Sequence, residues 1–350
     1  MVQDNRLLAE ELARLDKKID EADLPAELRE KVRVMVERLS QSVTIGGFSP
    51  QFDTVSRYVD WVVSLPWSRR SDDILDLKHA RQVLDKNHFG LDFIKNRILE
   101  YLAVLKLAHQ QKKTYHAPIL CLVGLVGTGK TTLGYSFAET LGRKFARIPF
   151  GGLSDPMQLR GRPKSLPDAE PGQIIKSLRR AGTKNPVILL DEIDRVAEES
   201  RGDIMGVLVE LLDPEQNSAF WDHYIDYPFD LSQVLFVGTA NNTANIASAV
   251  LDRLEVISMP SYSDEEKIKI GKDYILPRTI TASGLPAGAL AIDEKVWPKI
   301  VRPLGFDAGM RSLERTIDGI CRRVAREIVE GKAKEFFISG DNVDNYLPNL

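Results

Sequence analysis

"PILCLVGLVGTGKTTL", residues 118–133, sets an apolar run directly before a loop spaced G-x-x-x-x-G-K-[ST], with a helical pattern behind it. An apolar stretch without alternation suits a strand buried on both faces. The spacing from Gly124 to Gly129, Lys130 and Thr131 fits a phosphate-binding turn between that strand and a helix. Gly124, Gly127 and Gly129 let the backbone turn tightly with its N–H groups inward, and the helix opening near Lys130 adds the positive end of its dipole. This reading assigns Lys130 to the β- and γ-phosphates and the Thr131 hydroxyl to Mg²⁺, with Thr128 and Thr132 in the same cradle.

Around this stretch, "KFARIPFG", "PVILLDEID", "VLFVGTAN" and "LEVISMP" are further β-rich runs separated by helical patterns. Alternation of this kind predicts an α/β fold, a parallel sheet flanked by helices, over residues 71–260. "VILLDEID" ends with Asp191 and Glu192 adjacent, where a strand's C-terminal edge faces the ligand crevice of such sheets. Asp191 is expected to complete the Mg²⁺ shell, and Glu192 to polarise the water that attacks the γ-phosphate. In "TANN", Asn241 is a neutral donor able to sense that phosphate or orient the water; a turn asparagine is the plain alternative. Arg253 in "VLDRLEVI" and Arg311 in "GMRSLER" suit bidentate phosphate contact, yet spacing leaves them equally readable as solvated surface charges.

The flanks read as helical. Leu8, Leu12, Leu15 and Ile19 recur at helical spacing, "LPAELREKVRVMVERL" opens a second helix, and after the "TIGGFSP" break Val55, Tyr58, Val59, Val62 and Val63 share one face of a third. Residues 1–70 therefore form a small N-terminal bundle, bounded by the polar "SRRSDDILD". Past Pro260, Ser263 and Glu266 have capping-box spacing. Leu313, Ile317, Ile320, Cys321, Val324 and Ile328 line one helix face, and "EFFIS" offers one short strand, so residues 261–350 form a small helical domain.

A net charge of −3 over 350 residues supplies no general basic field, which argues against a nucleic-acid partner. Cys121 and Cys321 lack metal-ligand spacing and read as core residues. No apolar run reaches bilayer length and the N-terminus lacks the form of a signal peptide, so the expectation is a cytoplasmic chain with no membrane partner.

Taken together, "GLVGTGKTTL", "GTKNPVILLDEID", "RGDIMGVLVELLDPEQNSAFWDHYIDYPFDLS", "TANN", "LDRLEVI" and "AGMRSLERTI" resemble the ATPase module of the Lon family of ATP-dependent proteases. The likeness runs from "YVDWVVSLPWS" and "DKNHFGLDFIKNRILEYLAVLKL" to the C-terminus. Lon belongs to the AAA+ class, so the resemblance implies a P-loop AAA+ sheet domain with a small lid, commonly assembled as a hexameric ring. Such rings hydrolyse ATP with Mg²⁺ to unfold and thread unfolded or damaged proteins.

On that resemblance Lys130 is the phosphate-loop lysine, Asp191 and Glu192 the acidic pair, and Asn241 the first sensor. Arg253 matches the finger arginine acting on the neighbouring subunit's ATP, and Arg311 the second sensor on the lid. His88 in "HFGL", with Phe89, Gly90 and Leu91, matches the adenine-pocket segment. Two local departures stand out. Leu166 and Pro167 replace the aromatic and small apolar residues of the first pore loop, so the grip on a threaded chain is altered; Leu125 and Val126 replace two prolines in the phosphate loop. Nothing in the chain resembles the family's serine-lysine peptidase domain, so the expectation is either part of a longer Lon or a free-standing ATPase that works as an unfoldase or beside a separate peptidase. The competing class is an ATP-binding scaffold that threads nothing.

Overall fold

The computed structural model describes residues 2–46, 51–111, 118–302 and 309–347, so "TIGGFSP" lies partly outside the described residues. Nine strands occur among them: β1 Ile119–Val123, β2 Phe145–Pro149, β3 Val187–Asp191, β4 Phe220–Asp222, β5 Tyr227–Phe229, β6 Leu235–Ala240, β7 Leu254–Ser258, β8 Leu290–Ile292 and β9 Phe336–Ile338. The five apolar runs of the sequence become one sheet in the order β2-β3-β6-β1-β7. β3 pairs in parallel with β2 (Val187 opposite Phe145) and with β6 (Val187 opposite Leu235). Every residue of β3 and β6 is buried, as two-sided helix cover demands and as their unbroken apolar sequences foreshadow.

The chain divides into two compact units. The first comprises the described parts of Met1–Leu75, Ala103–Cys121 and Phe137–Val256. Its N-terminal helices are Val2–Glu21, Ala26–Gly46 and Gln51–Ser64. Leu8, Leu12, Leu15 and Ile19 are buried together with Tyr58, Val59 and Val62, while Val55 and Val63 are half-buried. This bundle is fastened to the antiparallel hairpin β4–β5. The Tyr58 hydroxyl donates to the Ile225 carbonyl at 2.7 Å, and Trp67 packs on Tyr227 and Phe229 with ring centroids 5.9 and 4.8 Å away.

The second unit comprises Asp76–Leu102, Leu122–Ser136 and the described parts of Ile257–Leu350. The Ser263 hydroxyl accepts the Glu266 N–H at 3.2 Å and Glu266 accepts the Ser263 N–H at 2.8 Å, so the capping box starts the helix Asp264–Ile270. Its core gathers Trp297, Ile300, Leu313, Ile317, Ile320 and Cys321. Ile328 lies at the half-buried end of that same helix face. "EFFIS" contributes β9, which pairs in parallel with β8, a strand without a sequence signal. Both cysteines are buried, and burial pushes the Cys321 thiol up to about 11, which leaves it inert. No helix among the described residues is long and apolar enough to cross a membrane.

Candidate nucleotide site

In the second unit, β1 runs out into the loop 124–129 and the helix Lys130–Leu141 begins at once. Gly127 and Gly129 hold φ of +83° and +91°, which a side chain would oppose. Gly127 is also pressed from outside: a Cβ there would lie 3.2 Å from the Met310 nitrogen and 3.4 Å from Cγ of Arg311. The Met310 N–H donates to the Gly127 carbonyl at 2.9 Å, which brings the first residue of the helix Arg311–Val329 onto the loop. Tyr262 adds a hydroxyl donor to the Thr128 carbonyl at 3.3 Å.

Lys130 is buried, with its ammonium drawn into the turn: Nζ donates to the carbonyls of Gly124 at 2.6 Å and Leu125 at 2.9 Å. The Thr128 hydroxyl donates to the same Leu125 carbonyl at 2.9 Å, and Thr132 donates to Gly129 at 2.8 Å. Thr131, the second residue of the helix, is half-buried beside them. The Leu125 and Val126 side chains are 54% and 38% exposed, so the side chains that stand where two prolines are usual lie outside this network, which takes from these two residues only the Leu125 carbonyl.

The segment His88–Leu91 belongs to the same unit. His88 caps the helix Leu77–Asn87, and its Nε2 lies 2.9 Å from the Ser136 hydroxyl on the helix that follows the phosphate loop. Burial, reinforced by the nearby Lys95 charge, pushes the imidazole down to about 4, so it is neutral at pH 7. Lys95 is itself buried and donates to the His88 carbonyl at 2.7 Å. Gly90 and Leu91 both turn left-handed, at φ +60° and +58°, and Lys269 places its ammonium 4.8 Å from the Phe89 ring centre. Phe89, Gly90 and Leu91 are half-buried.

In the first unit, Asp191 closes β3 with its carboxylate buried. One oxygen accepts the Thr239 hydroxyl from β6; the other meets the Arg147 guanidinium of β2 at 2.6 Å. Thr239 also accepts the Glu192 N–H at 2.9 Å, so a single hydroxyl sets the acid pair's backbone and side chain together. Glu192 stands at φ 58°, ψ 49°, left-handed for a residue with a Cβ, and its carboxylate lies 3.5 Å from Arg195. Strain of this sort is retained where surrounding contacts over-determine it. Asp194, buried, accepts the Asn241 N–H at 3.1 Å and the Asn242 N–H at 3.4 Å. The "DEID" turn and the "TANN" loop are thus one hydrogen-bonded body.

Arg253 makes its contacts elsewhere in that unit, with Asp213 at 2.9 Å and the Ala249 carbonyl at 2.8 Å. Arg147, Asp194 and Thr239 are the residues that sequence reasoning missed. The third acid of "DEID" and the threonine before "AN" were visible, but only pairing of β3 with β6 connects them.

The loop that carries Leu166 and Pro167 is tied down at several points. Its base is closed by the Arg162 N–H on the Glu170 carbonyl at 2.9 Å, and Arg162 pairs with Asp168. Lys164 rests 4.1 Å above the Tyr58 ring and 3.6 Å from Asp226, which also pairs with Lys31 at 2.6 Å. Asp222 holds one end, accepting the Gly172 N–H at 2.8 Å, and burial pushes its carboxyl up to about 6. Leu166 stays 41% exposed at the tip.

Residues 120–262 match the model of the ATPase family associated with various cellular activities (AAA), and residues 281–336 match the Lon protease AAA+ ATPase lid domain. The chain is similar to the Lon protease of Lawsonia intracellularis, 45% identical over 97% of this chain and 40% of that protein. It is 43% identical to the Lon protease of Halothermothrix orenii, over 94% of this chain and 41% of the relative. Lon protease 2 of Herpetosiphon aurantiacus is 43% identical over 93% and 39%. The chain spans about two fifths of the length of the curated relatives it matches.

Proposed function

Because the chain is a Lon-type AAA+ ATPase module, we propose that it hydrolyses ATP with Mg²⁺ and couples that turnover to unfolding and threading of protein substrates within a ring of identical copies. The observation that carries the reading is the loop itself: Lys130, buried at a helix N-terminus, inside a turn that two positive-φ glycines make possible. Its working parts are the helical segment 1–70, the nucleotide domain 71–260 and the lid 261–350.

The resemblance to Lon gives each residue a role that its chemistry suits. Lys130 and the N–H groups of Gly124, Gly127, Thr128 and Gly129 take the phosphates. The Thr131 hydroxyl and the Asp191 carboxylate are each a hard oxygen donor of the kind that suits Mg²⁺, which keeps most of its shell as water and phosphate oxygen. Bound there, Mg²⁺ supplies neutralisation of the phosphate oxygens. Glu192 draws the proton of the attacking water and Asn241 orients that water. Arg253 stabilises charge on a neighbour's phosphate, and Arg311 does so from the lid. Phe89, Gly90 and Leu91 contact the base.

A second reading, an ATP-binding scaffold, is favoured by one observation, the docking of the pore-type loop onto Tyr58 and Asp226 through Lys164. Steady-state hydrolysis by the chain and by Glu192→Gln, with and without casein, separates the two. Turnover that casein accelerates and Glu192→Gln abolishes supports the motor; turnover indifferent to casein supports the scaffold; tight ATP binding without turnover at any protein concentration contradicts the hydrolase.

A further inference from the structure

Asp213 is the third residue of "LLDPEQN" and ends the helix Arg201–Leu212, where its backbone turns extended at φ −87°, ψ 118°. Its two carboxylate oxygens have separate duties. Oδ1 accepts the Glu215 N–H at 3.0 Å, which caps the following turn, while the Asp213 carbonyl accepts the N–H groups of Gln216 and Asn217. Oδ2 is thereby aimed away from the turn. It takes the Arg253 Nη2 at 2.9 Å, with the Gln216 side-chain amide at 3.2 Å. The Arg253 guanidinium, first among the causes, and the Glu215 N–H hold the Asp213 carboxyl below the usual carboxylate range.

The arginine is held from a second direction by its own turn, since Nη1 donates to the Ala249 carbonyl at 2.8 Å. A guanidinium carries five N–H donors; two are engaged here, and the other three have no protein acceptor among the described residues. The two side chains are 29% and 18% exposed. An ion pair that solvent still reaches contributes little to stability, so stability is a weak reason for this arrangement. Geometry is a stronger one. A free arginine side chain has rotamer entropy to lose on being fixed, and a group that must meet developing charge acts best when that loss has already occurred.

We infer that Asp213 is the positioning residue of Arg253, holding the guanidinium ordered and with three donors to spare for a phosphate bound by a second copy of this chain. The inference rests on the proposed action of Arg253 on a neighbour's nucleotide. Asp213 touches no reacting atom; it acts through the arginine alone.

The test is steady-state ATP hydrolysis by the full chain, at protein concentrations that span assembly, for Arg253→Ala, Asp213→Asn and the double variant. Asparagine keeps an Oδ1 to cap the Glu215 N–H and removes the charge; Asp213→Ser, also a cap former, replaces it should the asparagine variant fail to fold. The expected result has three parts. Arg253→Ala lowers kcat by about 10³-fold or more. Asp213→Asn lowers kcat by about 10- to 100-fold at unchanged KM for ATP and unchanged concentration for half-maximal activity. Asp213→Asn adds no further loss to Arg253→Ala. Unchanged turnover in Arg253→Ala would overturn the arginine assignment itself. Loss in Arg253→Ala with kcat equal to or above wild type in Asp213→Asn would overturn the positioning role alone, as would losses that add in the double variant or a raised KM.

Discussion

Glu192 holds a left-handed backbone, φ 58°, at a cost that glycine would not carry. Its N–H on Thr239 and the buried strand before it keep it there, so its carboxylate is aimed by the fold. Two substitutions separate the strain from the chemistry. Glu192→Gly is expected to raise unfolding stability by about 1 kcal/mol in urea titration while abolishing turnover. Glu192→Gln should abolish turnover with ATP affinity kept; a glutamine variant that still hydrolyses would remove Glu192 from the role of base.

His88 gives a pH prediction with a definite sign. Its ordinary value is 6.5 and burial lowers it to about 4 in the folded chain. The unfolded chain therefore takes up a proton first as pH falls, so the stability tied to neutral His88 is complete above 6.5 and drains away between 6.5 and 4. The full loss is about 3 kcal/mol at ~1.4 kcal/mol per pH unit. Urea midpoints from pH 7 to 4.5 should fall more steeply for the wild type than for His88→Gln; equal slopes would show that the imidazole is not the group responsible.

At the scale of elements, the five sheet strands and the capping box could be read from sequence because each carries its own signal: unbroken apolar runs for β1, β3 and β6, and a serine three residues before a glutamate. The hairpin β4–β5 and the strand β8 could not. Each strand is three residues long, too short for any period to show; the hairpin exists through its pairing and its packing on Trp67, and β8 through its pairing with β9. The candidate site divides in the same way. Lys130, Asp191 and Glu192 sit in local motifs, whereas the Thr239 and Asp194 links join residues 48 and 47 positions apart. The loop anchored by Lys164 is likewise a product of tertiary contact. Lys164→Met removes both the Asp226 pair and the cation above Tyr58, and hydrogen exchange over 162–170 should accelerate several-fold; unchanged exchange would mean that the Arg162 and Asp222 contacts alone hold the loop.

For the whole molecule, the central claim is that turnover belongs to an assembly. Arg253 forms no contact with Asp191, Glu192 or Asn241 in the described bonds of its own unit and is instead held on Asp213 and Ala249, as suits a residue offered to another copy. The most direct measurement is ATP hydrolysis against protein concentration, with Glu192→Gln and Arg253→Ala mixed into wild type. Specific activity should rise with concentration, and Arg253→Ala subunits should poison wild-type neighbours beyond their share. Specific activity independent of concentration, with mixtures that follow the wild-type fraction alone, would contradict the account.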